Sequence, residues 1–264
     1  MKRTNMFRIA AGIFCFLSLF GCKNSPKDET SFKSIHVTEQ VHLTADTLSP
    51  ACSMSIDLNY AEGDDSVSHH INAEIVRAAF GYEALSPKTA VDSFVAHYTR
   101  DYTHDLLPCY KEDKEEEKAS MGWYNYYYNL KTDTRKGKEG IINYIIEMNS
   151  YEGGAHGNQV NTYLNFYTET GRLVTLDNLF VPGYESPLNE ILLKSLMKQA
   201  EATSMEALQE KGYLLWSGMY PSKNFLLKDD GMEFLYNTYE IAPYVVGVTV
   251  LKIPYGDLTD LLKK

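Results

Sequence analysis

Apolar residues recur at helical spacing between residues 64 and 108. This period of three to four residues predicts two amphipathic helices. Ser86 is the predicted N-cap of the second helix, and Pro87 suits its first turn because that position needs no backbone N–H donor. We expect the second helix to end at Pro108, since proline removes one backbone hydrogen bond and its ring crowds the preceding turn.

From residue 121 onward the period falls to two, which predicts β-strands. The first of these strands directs Tyr126 and Tyr128 to one face and Tyr127 to the other. Three more strands follow at short intervals, so we expect an antiparallel meander of about four strands. An amphipathic helix and a second group of strands complete the chain. The meander strands are GWYNYYYNL, GIINYIIEMNSY, NQVNTYLNFYTE and LVTL, and the second group is NFLLK, MEFLYN and VVGVTVLKIP.

Helices and strands come in blocks, without the alternation that a parallel α/β sheet requires. The pattern therefore predicts the α+β class, with mainly antiparallel sheets, helices packed on them, and two small subdomains. We place the N-terminal α+β subdomain at residues 48–150 and the C-terminal one at residues 151–264. Residues 22–47 are polar with few large apolar side chains, which indicates a flexible tether that ends in a strand around SIHVTEQVHL.

Residues 1–21 have the pattern of a secretory signal, with three basic residues before the apolar run IAAGIFCFLSLFG. The run ends in LFGC, which places Gly21 directly before Cys22. This ending resembles the lipobox of bacterial lipoproteins, in which the signal is cut before a cysteine that then carries lipid. The resemblance implies lipid attachment at Cys22 and a location in the cell envelope, in the periplasm or at the cell surface. An ordinary signal peptide with a chance cysteine is the alternative.

The composition limits the classes of partner. The chain of 264 residues carries 35 acidic and 25 basic residues, for a formal net charge of −10. Removal of the leader, which holds three basic residues and no acidic one, would make the protein more acidic still. This charge argues against nucleic acid and against anionic lipid headgroups, and it favours a basic protein. We therefore expect contact with a membrane only through the lipid anchor.

Two cysteines, Cys52 and Cys109, would remain as thiols in the mature chain. Cysteines in an oxidising compartment often pair, and no C-x-x-C or zinc-binding spacing competes for these two. Two interpretations stay open at this point. One is a Cys52–Cys109 disulfide, and the other is a pair of inert buried cysteines.

Motifs of common enzymes are absent from the sequence: it has no H-E-x-x-H, G-x-S-x-G, P-loop or S-x-x-K. We predict no metal and no cofactor. His156, in YEGGAHG, is the strongest single candidate for a functional-site residue, because flanking glycines would leave its imidazole exposed. A metal site needs more ligands than the nearby Glu152 supplies. We therefore interpret the segment as a hairpin loop whose histidine bonds a neighbouring carbonyl and borders a binding surface.

Tyrosine is abundant, with 20 residues in the chain. Exposed tyrosines supply rigid amphipathic contact area, which favours binding of a protein or a glycan. The alternative is a tyrosine-rich core and sheet surface without a partner. The candidate binding residues are Tyr127, Tyr151, His156 and Tyr244.

Two long segments carry a family resemblance. SYEGGAHGNQVNTYLNFYTETGRLVTLDNLF, followed after a helix by NFLLKDDGMEFLYNTYEIAPYVVGVTVLKIPYGDL, resembles the C-terminal extracytoplasmic domain of RsiV-type anti-sigma factors. Roughly residues 50–150 are similar to the small α+β domain that precedes it there and that also precedes the catalytic domain of some peptidoglycan deacetylases. RsiV-type proteins bind lysozyme with this region, so the resemblance implies a lysozyme or another basic protein as partner.

We expect a lipid-anchored binding protein without catalytic activity. The reason is that the chain has no cytoplasmic sigma-binding segment before its apolar run and no deacetylase catalytic domain. A second hypothesis is a module that binds cell-wall glycans such as peptidoglycan through its aromatic residues. The third is a peptidoglycan-acting hydrolase or deacetylase that uses His156 and nearby carboxylates.

Overall fold

The computed structural model describes residues 30–116, 121–215 and 218–263. This part of the chain forms a five-stranded sheet and a three-stranded sheet with helices packed on them, so the predicted α+β class is confirmed. The leader and Cys22 lie outside the described residues. The elements are β1 Phe32–His42, β2 Ala51–Ala61, α1 Ser66–Phe80, α2 Pro87–Glu115, a 3-10 turn Gly122–Tyr124, β3 Tyr126–Lys136, β4 Ile141–Tyr151, β5 Asn158–Tyr167, α3 Leu176–Leu179, α4 Glu185–Gln199, α5 Met205–Glu210, β6 Phe225–Leu227, β7 Gly231–Tyr236, β8 Thr249–Pro254 and α6 Tyr255–Leu258.

The larger sheet has its five strands in the order β1-β2-β3-β4-β5. All neighbours are antiparallel except β2 and β3, which run parallel and are connected by the two long helices. The predicted meander is confirmed for β3, β4 and β5. Its fourth strand is not, because Leu173 makes only an isolated bridge to Phe166.

Helices α1 and α2 both begin at capping residues, and the cap of α2 is Ser86, as predicted. The Asp65 carboxylate accepts the backbone N–H groups of Val67 and Ser68 at 2.8 and 3.1 Å. The Ser86 hydroxyl accepts the N–H of Thr89 at 3.2 Å. Such caps satisfy donors that the first turn cannot bond internally, so they fix the entry points of both helices.

Helix α2 does not end at Pro108, as the sequence predicts, but continues to Glu115. Proline at this position deprives the carbonyl of His104 of its helical donor. His104 is exposed, so water can bond that carbonyl instead. A proline on the solvent side of a long helix is therefore tolerated.

The strand expected around SIHVTEQVHL is confirmed and begins slightly earlier, because Phe32–His42 pairs with β2 along its whole length. Residues 32–42 are therefore not part of a flexible tether. Phe32, Ile35 and Val37 pack partly against the core beneath the sheet. The alternating apolar positions give the segment one face to bury, which holds it as an edge strand.

The described residues form two hydrophobic cores. The predicted boundary between the two subdomains, at residue 150, is wrong. The first core lies between the five-stranded sheet and helices α1 and α2. The second core lies between the three-stranded sheet, helix α4 and the C-terminal segment. Apart from Ile141, its buried residues come from Val174 and later in the chain. Strand β5 pairs with β4 and therefore belongs to the first unit. A boundary after Tyr167 fits the structure, whereas residue 150 lies inside the β4 strand.

The smaller unit follows the apolar spacing of the sequence. Leu188, Leu192 and Leu196 share the buried face of α4, as the helical period predicts. Helix α5 has Ser204 as its N-cap, whose hydroxyl accepts the N–H of Ala207 at 3.2 Å. The three strands are antiparallel in the order β6-β7-β8.

Asparagine side chains join the two sheets at β5. Asn165 is 1% exposed, and its amide donates to the carbonyl of Phe225 at 2.7 Å. Its oxygen accepts the N–H of Leu227 at 2.9 Å and the side-chain amide of Asn143 at 2.8 Å. The side-chain amide thus satisfies the backbone of β6, in the way that a neighbouring strand would.

A second group of amides makes the same kind of junction nearer the start of β5. The Asn237 side chain accepts the N–H of Asn161 at 2.8 Å and donates to its carbonyl at 3.0 Å. Asn224 donates to the same carbonyl at 2.8 Å and accepts the N–H of Tyr163 at 2.6 Å. Asn237 begins the loop between β7 and β8. This pairing therefore holds that loop beside the beginning of β5.

Among residues 30–116, 121–215 and 218–263, no helix combines the length and the apolar character needed to cross a bilayer.

Candidate functional site

Several loops meet at one end of the five-stranded sheet. Tyr127 lies opposite Tyr151, and Ser150 lies opposite Asn158, so the connection from β4 to β5 projects from this end. We call residues 152–157 of this connection the glycine loop. The loop from β7 to β8 reaches the same end because its first residue is bonded to β5.

His156 lies in the glycine loop with both ring nitrogens engaged. Its Nδ1 is 2.8 Å from the carbonyl oxygen of Gly157, which requires a proton on Nδ1. Its Nε2 then accepts the hydroxyl of Tyr239 at 3.1 Å. The ring stacks on Tyr244 with centroids 4.2 Å apart and an interplanar angle of 17°. The histidine therefore ties the two loops together, as a structural element of the surface.

Tyr239 has an unusual backbone for a tyrosine. Its φ is +69°, in the left-handed region that costs L-residues about 1 kcal/mol or more. Its N–H donates to the carbonyl of Ala242 at 2.8 Å, and Glu240 donates to the carbonyl of Asn237 at 3.2 Å. The ring is nevertheless 61% exposed. Strain that presents an exposed aromatic ring points to a role in function rather than in stability.

Tyr127 and Tyr151 support the other side of the glycine loop. Their rings stack across β3 and β4 with centroids 6.1 Å apart and an interplanar angle of 22°. The hydroxyl of Tyr151 donates to the carbonyl of Gly154 at 2.9 Å. Gly157 approaches so closely that a Cβ there would lie 2.7 Å from the Tyr127 hydroxyl and 2.8 Å from the carbonyl oxygen of Ser150. Glycine is therefore required at position 157.

The structure brings together the four binding candidates of the sequence and adds one residue. We call this group the aromatic loop surface. Tyr239 was not among the candidates, although it lies in the quoted motif YEIAPY and its strained backbone has no signal in the sequence. Further exposed apolar side chains lie on the same loop or beside it, namely Val245 and Leu214, whose N–H bonds the carbonyl of Ile241. The aromatic loop surface consists of Tyr127, Tyr151, His156, Tyr239 and Tyr244.

A pocket lies against the glycine loop, next to the 3-10 turn. Its volume is about 280 Å³, and we call it the Trp123 pocket because the Trp123 ring, 53% exposed, forms one wall. Tyr126 and Leu106 form other walls, and Glu152 contributes a carboxylate. The hydroxyl of Tyr98 donates to Glu152 Oε1 at 2.8 Å. Burial, and then the Glu152 carboxylate, raise the pKa of Tyr98, so the phenol remains a donor.

The two cysteines are not joined in the structure. Cys52 is fully buried in the first core, whereas Cys109 is exposed on α2. Burial raises the pKa of the Cys52 thiol to about 12, with a smaller contribution from Glu152, so this thiol stays protonated and unreactive. Of the two interpretations that the sequence left open, the Cys52–Cys109 disulfide is not the one found, because both cysteines are free. The expectation of two buried cysteines holds for Cys52 alone.

In residues 30–116, 121–215 and 218–263, no group of three or more His, Cys, Asp or Glu side chains could hold a metal ion. His70, His97 and His104 are exposed on the two long helices.

Comparisons with known proteins identify relatives. A family model described as "Protein of unknown function (DUF3298)" matches residues 177–256. The crystal structure of a DUF3298 family member from Bacteroides fragilis NCTC 9343 is similar with a TM-score of 0.81 and 35% identity, over 89% of this chain and 94% of that chain. The structure of a DUF3298 family protein from Pseudomonas aeruginosa PAO1 has a TM-score of 0.59 and 16% identity, over 89% and 96% of the two chains, and shows the shared fold.

A curated relative is the peptidoglycan-N-acetylmuramic acid deacetylase PdaC of Bacillus subtilis strain 168. It is 28% identical over 120 residues, which cover 43% of this chain and 24% of the relative. The chain thus spans about a quarter of the length of that enzyme. The match concerns a limited region of PdaC, so the activity of the whole enzyme does not follow from it.

Substitution of Gly157 tests the close approach within the site. In Gly157→Ala the new methyl group would meet the carbonyl oxygen of Ser150 at 2.8 Å, which cannot move without the strand. We expect a loss of about 1 to 3 kcal/mol in the free energy of unfolding, measured by urea denaturation. Gly122→Ala is the matched control, since a Cβ there meets nothing within 4 Å. Equal midpoints for the two variants would contradict the assigned geometry.

Proposed function

Because the chain belongs to the DUF3298 family, whose function its description leaves open, we propose that it is a binding protein and that the aromatic loop surface contacts a protein partner. One observation carries this proposal. Loops from both halves of the protein present exposed aromatic rings together, and one of the rings stands on a strained backbone. If these rings served only the stability of the fold, they would be buried.

The surface suits protein recognition because its rings are ordered before a partner arrives. His156 stacks on Tyr244 and bonds Tyr239, while Tyr127 stacks on Tyr151. A side chain that is already fixed loses little conformational entropy on binding. Tyrosine also combines a large apolar area with a hydroxyl that can bond at a wet interface, which makes it common among energetically dominant contacts.

Charge favours a basic partner. The formal net charge is −10, and two exposed carboxylates, Glu152 and Glu240, lie on the two loops that form the surface. An acidic protein attracts a basic one during diffusion, and salt screens this attraction. The RsiV-type resemblance supports a lysozyme as the partner, although the proposal requires only a basic protein.

A non-catalytic role fits the position of His156. Both of its ring nitrogens take part in hydrogen bonds within the two loops. General acid–base catalysis would need a nitrogen within reach of a substrate. The histidine therefore serves the binding surface by joining its loops.

The second candidate function is binding of peptidoglycan glycans. It is favoured by the match to PdaC, whose name describes action on peptidoglycan N-acetylmuramic acid. Exposed tyrosine rings at the aromatic loop surface would then stack on sugar rings. The same surface serves both candidates, so one set of variants separates them.

We further propose that the chain is anchored outside the cytoplasm through lipid at Cys22. The LFGC ending of the apolar leader supports this. More than one acyl chain on the cysteine would give stable anchoring, since each buried methylene contributes about 0.8 kcal/mol. The anchor would hold the aromatic loop surface within reach of partners in the cell envelope.

Binding to a c-type lysozyme at low salt, measured by calorimetry, tests the proposed function. We expect binding that weakens with added salt and that falls about thirtyfold in Tyr239→Ala and in Tyr244→Ala, because a dominant aromatic contact contributes about 2 kcal/mol. Tyr60→Ala, at the other end of β2, should bind like the unchanged chain.

Peptidoglycan pull-down with the same variants provides the second arm. Retention that falls in Tyr239→Ala and Tyr244→Ala, without any heat from lysozyme, would favour the glycan candidate. If neither lysozyme nor peptidoglycan binds, or if the two substitutions change nothing, the aromatic loop surface is not the binding site.

Fractionation of cells tests the anchor. We expect the unchanged chain in the membrane fraction and Cys22→Ser in the soluble extracytoplasmic fraction, since the serine variant has no thiol to acylate. Cys15→Ser is the matched control, because Cys15 lies in the leader and would be removed with it. Membrane association that survives in Cys22→Ser would refute the lipid anchor.

A further inference from the structure

The Trp123 pocket has walls and a charge that match a cationic side chain. We propose that it accepts a lysine or arginine side chain of the protein partner. The proposal deepens the proposed function and rests on it in one respect, since the side chain belongs to a basic protein. The chemistry of the pocket can be tested without that protein.

The pocket is an open cavity of about 280 Å³, which gives room to one long side chain. Trp123 is half exposed although it is the largest apolar side chain at this end of the sheet. Its ring stands nearly perpendicular to that of Tyr124, with centroids 5.6 Å apart and an angle of 81°. Tyr126 adds a further aromatic wall. The aliphatic part of a lysine or arginine would lie against these rings.

Among the described residues that line the pocket, Glu152 is the charged one. Tyr98 holds Oε1 through a hydrogen bond of 2.8 Å. The second oxygen, Oε2, has no hydrogen-bond donor among the described residues. A carboxylate that is oriented by one bond and free at its other oxygen is prepared to accept a charged donor, and charge-assisted bonds are stronger than neutral ones.

Aromatic rings and the carboxylate select for the same kind of ligand. The faces of tryptophan and tyrosine carry negative potential and attract a lysine ammonium or an arginine guanidinium. Among the described residues, those that line the pocket include no lysine, arginine or histidine. An anion would be repelled by Glu152, and a neutral chain would leave the carboxylate without a new partner.

The glycine loop holds Glu152 in the same pocket wall as the 3-10 turn that carries Trp123. Gly153 has a φ of +81°, and a Cβ there would lie 3.3 Å from the carbonyl oxygen of Trp123. The loop therefore passes directly over the 3-10 turn. The same loop carries His156 on the aromatic loop surface, so a partner seated there can place a cationic side chain beside Glu152.

Titration of the purified full chain with N-acetyl-lysine N-methylamide and with methylguanidinium tests this pocket. NMR follows the indole N–H groups of Trp123 and Trp216, the two tryptophans of the sequence, and Trp216→Phe assigns them. We expect a saturable shift of the Trp123 signal with both cations. Neutral N-acetyl-norleucine N-methylamide should leave the signal in place, because it cannot pair with the carboxylate.

Two variants distinguish the charge of Glu152 from the general acidity of the protein. Glu152→Gln should weaken binding of the lysine probe about tenfold. Glu139→Gln removes the same charge from the turn between β3 and β4, at the opposite end of the sheet, and should bind normally. Circular dichroism and the urea midpoint verify that both variants fold. Trp123→Phe, which keeps a smaller aromatic face, should bind with intermediate affinity.

Three results would overturn the proposal. These are an equal shift with the norleucine probe, unchanged binding in Glu152→Gln, and tighter binding of choline than of either cationic probe, which would assign the pocket to a small quaternary ammonium ligand. The experiment is independent of any protein partner. If the lysine probe binds but no protein does, the proposed function fails and the cation pocket stands; the reverse result removes the pocket alone.

Discussion

Hydrogen bonds from asparagine side chains to the backbone of a neighbouring element hold the two halves of this protein together. Asn165, within the sheet junction, satisfies both a donor and an acceptor of β6. Asn237 does the same for the backbone of Asn161. Buried backbone groups are costly to leave unbonded, at about 1 to 3 kcal/mol each, so these amides determine how the second sheet is placed. The loop from β7 to β8 follows directly after Asn237, and its position depends on the same bonds.

The candidate site is a consequence of this junction. Neither half of the protein contains it alone: His156 comes from the first sheet, and Tyr239 and Tyr244 come from the loop of the second. Their stacking and hydrogen bond join exposed groups, which contribute little to stability by themselves. A strained tyrosine and half-exposed rings thus rest on a buried amide framework. A rigid support beneath an exposed surface is what a preorganised binding site requires.

Local patterns of the sequence predicted the features that depend on neighbouring residues. The alternation in β3 correctly separated buried Tyr128 from exposed Tyr127, and the capping residue Ser86 began α2 as expected. The end of α2 was wrong because the cost of Pro108 depends on solvent at the facing carbonyl. The subdomain boundary was wrong because it separated β4 from β5, which pair with each other in the meander. Tyr239 was missed since its strain arises from a turn held by distant Asn161.

Hydrogen exchange of backbone amides in Asn237→Ala, compared with Asn158→Ala on the exposed part of β5, tests the role of the junction most directly. We predict faster exchange at Asn161 and at Tyr239 in the first variant, together with faster exchange in residues 153–157, because the glycine loop loses its contact when the opposing loop moves. The control should exchange like the unchanged protein. Unaltered protection of Tyr239 and of the glycine loop in Asn237→Ala would contradict the claim that the amide junction positions the site.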